Sequence, residues 1–104
     1  MSDLNLDKFL KDKKERDKKK RKIYKDTYEY IKTSIQEAIN RLENYIQYNV
    51  PVFNHLSPDY EALECIQYIV EKISEHLLLK KIIIDIKVLE PNILYIQWDL
   101  EKLS

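Results

Sequence analysis

Glycine is absent from the 104 residues, where average usage of about 7% predicts about seven. Phosphate-binding loops, dinucleotide fingerprints, nucleophile elbows and EF-hand loops each need positive φ or a close backbone approach. None of them can be built without glycine. Cysteine occurs once, at Cys65, which excludes an internal disulfide and a multi-cysteine zinc site and makes a reducing compartment the default. No apolar run reaches the length of about 18 residues that a membrane span needs. The first residues lack the apolar core of a secretory signal, and no Asn-x-Ser/Thr sequon occurs. An intracellular chain of at most one domain is expected.

Charge is present in equal amounts, 18 basic and 18 acidic side chains, but the signs are segregated. Residues 1–32 carry 12 basic and 7 acidic groups, net +5, and residues 33–104 carry 6 and 11, net −5. Positions 8–25 alone hold 11 basic groups against Asp12, Glu15 and Asp17, net +8. Such a segment has little apolar surface to offset the entropy of ordering, so residues 1–22 are expected to form a basic arm, disordered or a frayed solvated helix when alone, on an acidic body of residues 23–104.

The body shows two periodicities. Tyr24, Tyr28, Ile31, Ile35, Ala38, Leu42 and Tyr45 follow at intervals of 4-3-4-3-4-3, with Ile39 and Ile46 alongside, which predicts a long amphipathic, coiled-coil-like helix over about 23–49, ending before Pro51. After a linker at 50–57, Ser57-Pro58 reads as a helix start, followed by the stripe Ala62, Leu63, Ile66, Ile69, Val70, Ile73 and Leu77; a second helix is expected over about 58–78. The period then changes to two: Ile82, Ile84, Ile86 and Val88, and after Pro91-Asn92, Leu94, Ile96, Trp98 and Leu100. An antiparallel β-hairpin over about 81–100 follows. Two strands alone are marginal, so a third strand from 50–53 or edge pairing with another copy is needed. The fold class is α+β.

No residue pattern points to catalysis, a cofactor or a metal. His55 and His76 lack the i, i+4 spacing of a helical zinc pair. Cys65 sits among the apolar positions of the second helix, where cysteine acts as a small apolar residue. Glu64, Glu71 and Glu75 read as a solvated acidic face. The basic run has the stronger claim: Lys11, Lys13, Lys14, Arg16, Lys18, Lys19, Lys20, Arg21, Lys22 and Lys25 are candidates for phosphate contacts in nucleic acid. Lys18-Lys19-Lys20-Arg21-Lys22 also has the form of a nuclear-import signal. Tyr24, Tyr28 and Tyr30 follow as candidates for base stacking. Leu6, Phe9 and Leu10 form an i, i+3, i+4 trio suited to docking on a partner. For protein contacts, the candidates are Tyr28, Ile31, Ile35 and Leu42 on the helical seam and Trp98 on the last strand.

Pro51, Phe53 and Tyr60, the helix Ala62-x-x-x-Ile66-x-Tyr68-Ile69 and the strand Pro91-Asn92-x-Leu94-x-Ile96-x-Trp98 together resemble a module of small proteins of nucleocytoplasmic large DNA viruses. The resemblance covers about half the chain and contains no catalytic residue. It implies a virus-encoded structural or adaptor protein, acting in the host cytoplasm, the virion or the nucleus. The expected function is therefore non-enzymatic, through protein contacts or self-association, with non-specific nucleic-acid binding by the basic arm as the alternative.

Overall fold

The computed structural model describes residues 2–103, with side chains from Leu6 onward. The order of elements is α1 (Ser2–Asn40), β1 (Tyr45–Asn49), α2 (Ala62–Glu75), α3 (Leu77–Ile82), β2 (Ile83–Leu89), β3 (Ile93–Trp98) and a 3-10 turn at Leu100–Leu103. The three strands form one antiparallel sheet in the order β1-β3-β2. The α+β class and the hairpin are as expected, and helices and sheet share one core.

The heptad positions Tyr24, Tyr28, Ile31, Ile35 and Ala38 are all buried. They belong to one core cluster with Cys65, Ile66, Ile69 and Ile73 of α2, Leu79 and Ile82 of α3, and Leu94, Ile96 and Trp98 of β3. The 4-3 spacing thus marks a seam filled within the chain, by α2 and the sheet. Trp98 is 1% exposed, and its indole N–H donates to the carbonyl of Glu43 at 3.1 Å.

Four expected boundaries are corrected. Residues 1–22 were expected to be a separate arm, disordered or a frayed solvated helix, but from Ser2 on they are helical and continuous with the packed part of α1. Nucleation is the costly step of helix formation, and the packed half supplies the nucleus. The lysines, arginines and leucines that continue it are good helix formers, and no glycine or proline interrupts them. At the other end α1 stops at Asn40, nine residues before the expected Asn49. Leu42 adopts φ 61°, the Leu42 N–H bonds to the Ile39 carbonyl at 2.9 Å and the Glu43 N–H to the Ala38 carbonyl at 2.8 Å. These are the paired bonds of a Schellman cap. The third strand is therefore Tyr45–Asn49, not 50–53: Tyr-Ile-Gln-Tyr-Asn suits both periods, and β3 offers it a full antiparallel ladder.

The second helix likewise starts later and ends sooner than 58–78. Ser57 is buried in a turn, its carbonyl accepting from the Tyr60 N–H at 3.1 Å. His76 breaks α2 from α3 in extended conformation, and its Nδ1 accepts from the Leu79 N–H at 3.3 Å. This break leaves Leu77 86% exposed and turns Leu79 inward instead. In β2 a register shift between Ile83 and Asp85 disrupts the even-position face, so Ile84 and Val88 are about half exposed while Leu94, Ile96 and Trp98 of β3 are buried as expected.

The Cα radius of gyration is 17.2 Å, against about 13 Å for a compact chain of this length. The longest dimension, 64 Å, exceeds the other two, 26 and 18 Å. At 1.5 Å per residue the 39-residue α1 is about 58 Å long and accounts for it. Every described side chain from Leu6 to Arg16 is exposed. The N-terminal part of α1 therefore projects beyond the body.

Candidate nucleic-acid interface

Where α1 leaves the body, its last contacts are ionic. Arg16 lies 3.6 Å from Asp59, and the Lys20 ammonium donates to Glu64 Oε1 at 3.0 Å. The Tyr24 hydroxyl donates to the same Glu64 oxygen at 2.9 Å and accepts from the backbone N–H of Glu61 at 3.2 Å. Glu61 is the N-cap of α2, with no side-chain cap bond of its own, and Glu64 is its third helical residue. In a capping box the third-position carboxylate would reach back to the N-cap N–H directly; here the Tyr24 hydroxyl stands between them. The ring of Tyr24 is held by Tyr60 and Tyr68, at centroid distances of 5.6 and 6.1 Å. Burial, with the bond to Glu64 adding to it, pushes the Tyr24 hydroxyl up to about 12. The bonds from Lys20 and then Tyr24 hold the Glu64 carboxyl below its ordinary value, and the Glu64 bond raises Lys20.

This joint fixes the rotation of α1 and so decides where each candidate cation points. Arg16 and Lys20 are engaged with α2 and the turn before it, and Lys22 pairs with Asp26 at 3.0 Å. Lys13 continues the stripe of the core seam, while Lys19 lies on the opposite side of the helix. The remaining five, Lys11, Lys14, Lys18, Arg21 and Lys25, recur at intervals of 3-4-3-4 and so form one stripe, about 21 Å long. Lys11, Lys14, Lys18 and Arg21 line one shallow groove together with Glu15 and Asp17. Among the described residues none of the five has an ion-pair partner.

Other candidates fare differently. Tyr24 and Tyr28 are buried and offer no face to a base; Tyr30 is 58% exposed, with its ring 5.4 Å from that of Tyr48. Of the expected protein-contact residues, Tyr28, Ile31, Ile35 and Trp98 are core, and Leu42 alone is exposed, at 81%. For Tyr28, Ile31, Ile35 and Trp98 the assignment to a partner interface is corrected: an amphipathic seam has one apolar face, and the chain itself covers it. Leu6, Phe9 and Leu10 stay about half exposed at the projecting end. Cys65 is fully buried against Tyr60 and Thr27, and burial pushes its thiol up, away from the reactive thiolate. Among the described residues no group of three His, Cys, Asp or Glu side chains is placed to hold a metal, and no helix is long and apolar enough to cross a membrane.

Two features escaped the sequence pattern. The Tyr24 relay joins residues 37 and 40 positions apart, and no local spacing signals it. The outer sheet face carries a stacked pair, Tyr45 and Tyr95, with centroids 5.6 Å apart; assigning Tyr45 to the helix hid it.

No curated protein and no solved structure matches the chain. A family model does match, over residues 4–74, and these carry the projecting helix, its basic stripe, β1 and all but the last residue of α2. By that match, which takes in 71 of the 104 residues, the chain belongs to a family of unknown function, DUF5759.

Proposed function

We propose that this chain is a non-enzymatic adaptor in the large-DNA-virus setting its sequence resemblance implies, its body making protein contacts and its projecting helix holding nucleic acid without reading sequence. The observation that carries the reading is the stripe of five cations, without an ion-pair partner among the described residues, on a helix whose outer end projects beyond the body. With the heptad seam filled by the chain's own core, nucleic-acid contact moves ahead of seam-mediated assembly. Phosphates on one strand rise 3.4 Å per nucleotide, so a 21 Å stripe spans about six of them. The stripe holds no exposed aromatic ring, and lysine meets phosphate as a point charge, which suits sequence-independent binding. A non-enzymatic role is supported by what the reactive side chains do: Cys65 is packed away, His76 caps α3, and Glu64 and Glu75 are held in ion pairs.

The test is duplex DNA binding as a function of salt. Five phosphate contacts predict that log K falls with log salt at a slope of about −4.5. Replacing Lys11, Lys14, Lys18, Arg21 and Lys25 by glutamine should abolish binding, whereas replacing Lys8, Lys13 and Lys19, which lie off the stripe, should leave most of it. Equal losses from the two sets, or no binding by the unmodified chain at about 50 mM salt, would reject the reading.

A further inference from the structure

β2 is hydrogen-bonded to β3 on one side and, among the described residues, has no strand on the other. It is the longer of the two edge strands, at seven residues, and Ile84, Val88 and Leu89 along it are about half exposed. An exposed apolar edge of this kind is a template for another strand, and proteins that avoid pairing place charges or bulges along it. Here the register shift lies between Ile83 and Asp85, at the entry to the strand, and leaves 85–89 regular. The only charged groups in the strand are Asp85 and Lys87, 3.3 Å apart on the outer face of the sheet.

We infer that the β2 edge is a self-association surface, and that its partner is β2 of a second copy, paired antiparallel about Ile86. The argument is charge complementarity. In that register Ile86 faces itself, and the regular run on either side of it, from Asp85 to Lys87, pairs across the twofold. Asp85 of each copy faces Lys87 of the other, so the two intrachain pairs join into one cluster of alternating sign. Opposite charges directly across a strand pair are favourable and like charges are unfavourable. Moving the twofold centre by one residue sets Asp85 against Asp85 or Lys87 against Lys87, so the two charges also select the register. The other edge specifies no such pairing: β1 is five residues, Tyr-Ile-Gln-Tyr-Asn, with no charge, and α1 packs beside it. The product is a six-stranded sheet in the order β1-β3-β2-β2-β3-β1. One edge strand is a small contact beside the roughly 1,200–2,000 Å² of stable complexes, so the dimer is a weak one, populated only at high concentration.

The experiment is sedimentation equilibrium of the full chain up to about 1 mM. The expected result is a mass rising from 12.6 kDa towards twice that value. Lys87→Asp and Asp85→Lys, each alone, set like charges opposite one another and should weaken association about tenfold or more while leaving the circular dichroism spectrum unchanged. Mixing the two variants restores opposite charges across the twofold and should restore association. That rescue also shows that both variants are folded. A full chain that is monomeric throughout overturns the inference. So does a dimer that neither variant weakens, or a folded pair of variants that does not associate when mixed.

Discussion

Tyr24 and Glu64 show how much one side chain can carry in a chain this small. The hydroxyl of Tyr24 closes the N-terminus of α2, and the Glu64 carboxylate gathers both that hydroxyl and the Lys20 ammonium. The burial of Tyr24 was legible from the 4-3 spacing, because periodicity reports which face is apolar. Its polar partner was not, because a hydroxyl at the edge of a core bonds whatever the fold brings to it. The pH dependence of stability tests the arrangement. The folded-state value of Glu64 lies below its ordinary 4.5, so its contribution is fully present above about that pH and is lost as the pH falls through the folded value. Glu64 is 41% exposed, and solvent screening holds the effect to about 1 kcal/mol or less. Urea unfolding should find Glu64→Gln less stable than the unmodified chain at pH 7 and the two converging as the pH approaches 3. A gap that stays constant from pH 7 to 3 would mean that the glutamate acts by packing, not by charge.

At the scale of elements, the informative disagreement is the end of α1. Leu42 and Tyr45 continue the apolar stripe, so pattern alone extends the helix to Pro51. The structure ends it with a left-handed residue, a position that most helices give to glycine. With no glycine in the sequence, no residue type announces the stop, and a leucine at φ 61° takes the role. The elements around it were easier to read: β3 keeps strict alternation under full burial on one face, and α2 keeps its stripe at Ala62, Ile66, Ile69, Val70 and Ile73, although Leu63, expected on the same stripe, is 62% exposed. Left-handed conformation costs a residue with a Cβ about 1–2 kcal/mol, and the Leu42 side chain, 81% exposed, has little packing to offset that. Glycine would remove the strain, and its own greater unfolded-state entropy would return part of the gain. Leu42→Gly should therefore stabilise the chain by about 0.5–1 kcal/mol, read as a higher urea midpoint at an unchanged m-value. A lower midpoint would show that Leu42 makes contacts in solution, as expected of a residue at an interface.

Taken as a whole molecule, the chain separates its charges in space as well as in sequence. The net positive first third lies on a helix whose described side chains from Leu6 to Glu15 are all exposed, and the net negative remainder is the body. The charge segregation was legible at once; the continuity of its carrier with the packed helix was not, because composition reports that a segment cannot fold alone, whereas this one extends a helix already nucleated by packing. Stability and polyanion binding should then reside in different residues. Removing residues 1–15 deletes only exposed described side chains and stops short of the Arg16–Asp59 pair. Exposed positions far from packed features contribute within about 0.5 kcal/mol, so the melting temperature should move by about 3 °C or less. The same deletion takes Lys11 and Lys14 from the stripe and leaves Lys18, Arg21 and Lys25. The salt slope of DNA binding should fall from about −4.5 to about −2.7, in proportion to the phosphates still contacted. A large drop in melting temperature would mean that the outer half of α1 packs on something, within the chain or in a second copy. An unchanged slope would place the phosphate contacts closer to the body than the stripe predicts.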